Sequence, residues 1–150
     1  MRIVIQRVSE ASVTIEGSIQ GKIDRGFLVL LGIEELDTEE DADFLIGKLV
    51  GMRVFSDPDG KMNLSIQDVQ GAFLVVSQFT LHASTKKGNR PSFIKAARPE
   101  QANPLYEYFV NRLRAFSELQ VETGIFGADM KVALVNDGPV TILMDSKNKE

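Results

Sequence analysis

The chain has 150 residues, 43% of them hydrophobic and 25% charged, and a net charge of −4 at pH 7. That length suits a single domain, 1–150, and the composition excludes disordered and fibrous classes. There is no cysteine and only one histidine, His82, so a disulfide scaffold, a thiol nucleophile and a multi-histidine metal centre are excluded and neither metal nor cofactor is expected. The apolar run 27–31 is far too short to cross a bilayer. The alternating start, Met1-Arg2-Ile3-Val4-Ile5-Gln6-Arg7, reads as a strand and not as a targeting segment, which leads us to expect a cytoplasmic protein without membrane contact.

An overall basic balance, the usual footprint of nucleic-acid binding, is missing. The distribution of charge says more than its sum. Residues 34–43 hold seven acids and no base, whereas residues 83–99 hold five bases (Lys86, Lys87, Arg90, Lys95 and Arg98) and no acid. Such a concentrated basic segment can hold a phosphate backbone locally, or it can be a solvated surface loop.

In chain order, residues 2–8 alternate as a strand with Ile3, Ile5 and Arg7 on one side. Residues 11–16 and 18–23 form a hairpin about a Gly17-Ser18 turn, and the glycine-bounded apolar run 26–33 suits a buried strand. A first helix opens at Asp37-Thr38-Glu39-Glu40, with Asp37 or Thr38 as its cap, buries Ala42, Leu45, Ile46 and Leu49, and ends at Gly51. A short strand at 53–55 leads into the turn Asp57-Pro58-Asp59-Gly60. Residues 72–81 read as a strand and 84–99 as a loop with a helical turn at 93–97. A second helix at 103–116 takes Asn103 as cap and Pro104 as its first residue, with Leu105, Tyr108, Phe109, Arg112 and Leu113 inward. Strands at 120–123, 129–136 and 140–145 and a polar tail finish the chain. The pattern predicts an α+β fold of mainly antiparallel sheet, with two helices packed on it.

Three short stretches are candidates for chemistry. In Ser77-Gln78-Phe79-Thr80-Leu81-His82, a strand would put Gln78, Thr80 and His82 on one face. Residues so spaced stand about 7 Å apart, too far for the roughly 3 Å hydrogen bond an activated nucleophile needs, so a Thr80–His82 pair is disfavoured and His82 reads as a surface histidine. Asn136-Asp137-Gly138-Pro139-Val140-Thr141 lies between two strand-like runs and reads as a tight turn in which the Gly-Pro bond can be cis. Thr123-Gly124-Ile125-Phe126-Gly127 is too sparse for a phosphate-binding fingerprint.

Taken together, in this order and spacing, these stretches and Lys87-Gly88-Asn89-Arg90-Pro91-Ser92-Phe93 resemble the D-aminoacyl-tRNA deacylase family over essentially the whole length. The resemblance implies a barrel-like sheet in a homodimer with active sites at the subunit interface. It implies a hydrolase that cleaves the ester between a D-amino acid, or mischarged glycine, and the 3′-terminal adenosine of tRNA. By the same resemblance Gly138 and Pro139 form a cis chirality gate held by Arg7 and inserted into the partner's site. Ser77, Gln78, Phe79 and Thr80 line the catalytic pocket, with Thr80 either a nucleophile or only part of the wall, and Phe126 cradles the adenine. The basic residues Lys86, Lys87, Arg90, Lys95 and Arg98 then become candidates for tRNA phosphates, with no DNA partner expected. The principal alternative is a non-catalytic RNA-binding dimer module. An editing domain for a mischarged L-amino acid and a small-ester hydrolase using Thr80 covalently are the others.

Overall fold

Apolar alternation through the first fifteen positions builds one strand where the sequence predicts two. The structure, a computed structural model describing residues 1–150, is organised about this strand, β1 (Arg2–Ile15). Along one edge β1 pairs antiparallel first with β3 (Gly26–Gly32) and then with β2 (Ser18–Ile23); along the other it pairs for its full length with β8 (Lys131–Asp145). The separation predicted between residues 8 and 11 is an irregularity in the β1–β8 register, where Val8 faces Asn136 and Glu10 faces Val135. That extra residue changes the parity of β1, so that Ala11 and Val13 still point to the same face as Val8. The hairpin to β2 turns at Glu16-Gly17, one residue earlier than predicted, with φ of 48° and 80°. Both angles are positive, as a two-residue hairpin loop demands.

Beyond β3 the sheet becomes parallel. β6 (Ala72–Ser77) pairs with β3, and β7 (Val121–Thr123) pairs with β6, giving the order β2-β1-β3-β6-β7. The sheet is therefore mixed, mainly antiparallel as expected, with β3–β6 and β6–β7 as its parallel pairs. It curls until β2 returns to β7: a Cβ placed on Gly21 would stand 2.9 Å from the Thr123 carbonyl oxygen. The barrel is nearly closed there, and only glycine permits so close an approach.

Each face of the sheet carries a core, which is why β3 and β6 read as unbroken apolar runs. Phe27, Val29, Phe73 and Val75 face the helices; Leu28, Leu74 and Val76 face the barrel interior with Val8, Ala11 and Val13. Helix α1 (Glu39–Gly51) buries Ala42, Leu45, Ile46 and Leu49 as predicted, and Thr38 is its N-cap. A small hairpin of β4 (Phe55–Ser56) and β5 (Met62–Leu64) closes on the expected turn, where the Asp57 carboxylate accepts the N–H groups of Asp59 and Lys61, both at 2.9 Å.

Helix α2 (Pro99–Ser117) begins a full turn before the predicted start, because Pro99 rather than Pro104 takes the first position. Pro104 sits inside the helix. Its missing N–H would have met the carbonyl of Glu100, which is solvent-exposed and can turn to water. The inner stripe is Leu105, Tyr106, Phe109, Val110 and Leu113. Tyr108 and Arg112, predicted inward, instead reach Asp43 of α1 at 2.8 and 3.5 Å on the seam between the helices. No helix is long and apolar enough to cross a membrane.

Asp41 fastens the entry to α1. Burial pushes its carboxyl up, but hydrogen bonds from Ser146, the Thr38 N–H and Lys147 outweigh that and bring it from 3.8 down to about 2. The Thr38 N–H and the Lys147 ammonium stand 2.8 and 3.0 Å from it. A carboxylate depressed in the folded state contributes stability that is complete above its unfolded pKa and lost as pH falls through the folded one. Asp41→Asn is accordingly expected to destabilise the protein by about 1 kcal/mol at pH 7. Urea titrations should show the difference from wild type shrinking between pH 4 and pH 2.

Candidate active site

The parallel strands β6 and β7 both end on one side of the sheet, and just beyond their carboxyl ends lies a cavity of about 590 Å³. Ser77, Gln78 and Phe79 line it where the chain leaves β6. Phe126 and Gly127 line it from the loop after β7, and Met130 and Val132 from the approach to β8 and its start. Ala96, Ala97, Arg98 and Pro99 complete it at the entry to α2.

The exit from β6 differs from the predicted strand. The Gln78 N–H makes a last ladder bond of 2.8 Å to the Leu31 carbonyl, and the chain then coils into a single 3₁₀ turn, Phe79–His82. The coil removes Gln78, Thr80 and His82 from the common face that a strand would give them. It turns Phe79 and Thr80 outward and drives His82, expected at the surface, down to 2% exposure. Neither ring nitrogen of His82 has a hydrogen-bond partner, and the nearest acid, Glu34, stands 3.7 Å from Nδ1. The one imidazole of the chain does not line the cavity. Thr80, expected to line the pocket, follows Phe79 in the turn outside the cavity lining, and its hydroxyl accepts a hydrogen bond from the Gln78 amide. The N–H groups of Phe79 and Thr80 open the turn and donate to no acceptor of the chain, as the first donors of a helical turn ordinarily do.

Aromatic groups wall the cavity. Phe79 and Phe93 meet edge to face, with ring centroids 5.2 Å apart. Phe126 packs against Tyr106 at 5.8 Å, and the Tyr106 hydroxyl donates to the Val75 carbonyl at 2.9 Å. Burial pushes that phenol up to about 12, so it remains a donor and ties α2 to β6 behind the cavity. The segment carrying Ala96 and Ala97 is clipped to the end of β3 by an Ala97 N–H bond to the Ile33 carbonyl at 2.9 Å. Farther out, Ser84 and Ser92 exchange bonds of 2.8 and 2.9 Å and close a loop whose tip bears Lys86, Lys87 and Arg90, all exposed. Lys95 is exposed on the return, and of the five bases only Arg98 reaches the cavity.

Gly138 and Pro139 are elsewhere. The strands predicted at 129–136 and 140–145 are one strand, β8, and the expected turn between them is an excursion from it. Gln6 pairs with Thr141 and Val8 with Asn136, so residues 137–140 bulge from the ladder. Asn136 clasps the excursion: its Oδ1 accepts the Val140 N–H at 2.8 Å, and its Nδ2 donates to the Val140 carbonyl at 3.2 Å. From beneath, the buried Arg7 donates through Nε to the Asp137 carbonyl at 2.8 Å and through Nη1 to the Val54 carbonyl at 2.6 Å. At the tip the Gly138–Pro139 peptide is cis and Gly138 has φ of 151°. A Cβ there would stand 2.8 Å from Val140 N and 3.2 Å from Arg7 Nη2.

The structure thus gathers Ser77, Gln78, Phe79 and Phe126 around one cavity, leaves Thr80 outside its lining, and gathers Arg7, Gly138 and Pro139 at a second place. Val132 touches the cavity, and Asn136 is four extended residues farther on, about 13 Å at strand rise. Sequence reasoning missed the Asn136 clasp, the Val54 carbonyl, and the apolar wall of Phe93, Met130 and Val132. Only the first had a local signal, an Asn opening an Asp-Gly-Pro run. A larger cleft of about 650 Å³ lies by Arg2, Phe44 and Leu143. Arg2 is already committed there, to Asp145 at 2.8 Å and to the Leu81 carbonyl at 2.9 Å.

Comparison with known proteins identifies the family. The family model described as D-Tyr-tRNA(Tyr) deacylase matches residues 4–145. D-aminoacyl-tRNA deacylases of Flavobacterium johnsoniae and Akkermansia muciniphila are each 63% identical to this chain over 150 residues, covering all of both chains. Among solved structures, the c-Myc DNA Unwinding Element Binding Protein is 44% identical with a TM-score of 0.91, covering 97% of this chain and 98% of that one. A probable eukaryotic D-amino acid tRNA deacylase, at 17% identity and a TM-score of 0.82 over 95% of this chain and 97% of its own, shares the fold.

Arg7 is 8% exposed and serves two carbonyls at once, whereas its ion pair with the exposed Asp137 carboxylate, at 3.9 Å, is loose. Truncation leaves both acceptors without their donor. Arg7→Met is expected to lower the unfolding free energy by about 2 kcal/mol, whereas Asp137→Ala, which keeps the main-chain acceptor, should cost less than about 1 kcal/mol. Chemical denaturation of the two variants checks this.

Proposed function

The chain belongs to the D-Tyr-tRNA(Tyr) deacylase family and is a hydrolase of D-aminoacyl-tRNA, and we propose that it works as a cytoplasmic homodimer in which the Gly138–Pro139 tip of each subunit enters the partner's cavity. One observation carries the proposal: tip and cavity lie on the same strand of one chain yet at least four residues apart along it, so the tip stands away from its own chain's cavity. The surface around β8 supports it. Val135 and Leu143 are 50% and 73% exposed, and the inward-facing Val132, Leu134, Ile142 and Met144 are only half-buried. Apolar surface of that extent along an outer strand is suited to a second copy.

In this reading the terminal adenosine enters between the aromatic walls, its base against Phe126. The ester carbonyl lies over the turn that opens at Phe79. As water attacks, charge develops on the carbonyl oxygen, and the unpaired N–H groups of Phe79 and Thr80 supply donors that need no reorganisation. The ribose 2′-hydroxyl beside the ester assists the water, in keeping with a cavity that has no imidazole in its lining. Ser77 and Gln78 shape the wall, and Gln78 holds the Thr80 hydroxyl as a hydrogen-bond acceptor, which does not favour Thr80 as a nucleophile. Lys86, Lys87, Arg90, Lys95 and Arg98 contact acceptor-stem phosphates, a sequence-independent and salt-sensitive contribution.

Selection of the D form falls to main chain. A side-chain wall separates ligands differing by a methylene by only about 1–3 kcal/mol. Carbonyl groups of the partner's tip can accept hydrogen bonds from the substrate's α-ammonium while filling the space that an L side chain needs. Glycine brings the backbone close, and Arg7 with Asn136 holds it in position.

The test is a paired deacylation assay with D-Tyr-tRNA and L-Tyr-tRNA. The D ester is expected to be cleaved and the L ester spared, and glycyl-tRNA, having no side chain to exclude, should be cleaved too. Equal loss of both enantiomers contradicts the proposal, and loss of neither favours the RNA-binding alternative. Thr80→Ala should retain activity within about tenfold of wild type, since both backbone donors survive; near-complete loss assigns Thr80 as nucleophile.

A further inference from the structure

A second cavity, of about 470 Å³, adjoins the first. Phe126 lines both: the adenosine cavity with Gly127 and Ala128, and the second with Gly124 and Ile125. Its other wall is α2, which contributes Asn103, Glu107, Asn111 and Arg114. These positions recur every three to four residues, so they form one stripe on the helix, and the same stripe extends back to Pro99 in the first cavity. From Pro99 to Asn111 the helix rises about 18 Å. The two cavities are thus successive parts of one groove along α2, parted by the Phe126 ring.

The chemistry of the second cavity is that of a base-reading site. Asn103 and Asn111 each offer an amide with donors and an acceptor, Glu107 offers acceptors only, and none of the three has a hydrogen-bond partner in the chain. Arg114 spends Nε and Nη2 on the Val121 carbonyl, at 3.3 and 2.9 Å, and retains Nη1. Unpaired RNA is read in this way, by amides and carboxylates on splayed base edges beside an aromatic ring. Glu107 selects among bases: a carboxylate accepts from the exocyclic amine of cytosine and repels the corresponding carbonyl of uracil. Free phosphate would meet the Glu107 carboxylate, which has no ion-pair partner in the chain.

We propose that this cavity binds a cytidine of the single-stranded 3′ end of the tRNA, immediately upstream of the terminal adenosine, with Glu107 and Asn111 reading the cytosine edge. The inference rests on the hydrolase reading above and extends it: the enzyme holds two consecutive nucleotides on either side of Phe126. Glu107 and Asn111 are exposed and touch neither the ester nor the adenosine cavity, so their substitution leaves the reacting groups in place.

The test compares D-tyrosyl esters of the trinucleotides CCA and UUA, and of adenosine alone, with wild type, Glu107→Gln and Asn111→Ala. Wild type is expected to prefer CCA over UUA by about tenfold in kcat/KM, mainly through KM. Glu107→Gln should reduce that preference to less than about threefold, since its amide can also donate to uracil, and neither variant should change hydrolysis of the adenosine ester. Equal efficiency of wild type on CCA and UUA, or equal losses by the variants on all three esters, overturns the inference while leaving the hydrolase intact. Failure to cleave any of the D esters overturns the hydrolase reading itself.

Discussion

The functional layout depends on one buried guanidinium. Arg7 lies within the central strand and donates to the carbonyls of Asp137 and Val54, which fixes the β8 excursion from below while Asn136 closes it from the side. A main-chain group can discriminate mirror forms only if it cannot yield, and a four-residue excursion on an edge strand would yield unless held. Arginine suits the task because its planar fork reaches two acceptors in fixed relative geometry. A lysine at this position would offer one freely rotating ammonium.

The sheet supplies the other half. Carboxyl ends of neighbouring parallel strands leave a crevice that recurs as a ligand site, and here β6 and β7 end side by side with the Phe79 turn and the Phe126 loop projecting beyond them. The antiparallel part, β1 with β8, carries the excursion. The mixed sheet therefore separates two features: its parallel edge forms the cavity and its antiparallel edge carries the tip that, in the proposed dimer, enters the partner's cavity. Near-closure at Gly21 keeps the two edges at a fixed separation, and in the proposed dimer a second copy joins them.

Much of this was legible in the sequence. The helical spacing of Ala42, Leu45, Ile46 and Leu49 reports a packed face directly, and the glycine-bounded run of β3 reports a strand covered on both sides. The resemblance of the Ser77 and Asn136 stretches to the deacylase family brought out the residues that line the cavity and form the tip. What stayed hidden depended on tertiary partners. Residues 78–82 have strand-like composition, yet they coil because the ladder with β3 stops at Gln78, and nothing local announces where a neighbouring strand ends. The same coil buries His82, which as a lone histidine at a strand end reads as a surface residue. The predicted break in β8 failed for a related reason: Asp-Gly-Pro signals a reversal when it stands alone, but pairing with β1 on both sides holds the chain in line and extrudes the turn sideways. Tyr106 and Val110 replaced Tyr108 and Arg112 in the core because Asp43 on α1 drew the latter pair to the helix seam.

The central claim is that each active site is completed by the other subunit, and mixing two inactive variants tests it most directly. Gly138→Ala spoils the tip, and Ala128→Trp fills the cavity. Co-refolded in equal amounts, they should regain about a quarter of wild-type D-Tyr-tRNA deacylation, because half the dimers are mixed and each mixed dimer holds one sound tip facing one sound cavity. A mixture no more active than either variant alone would contradict the account.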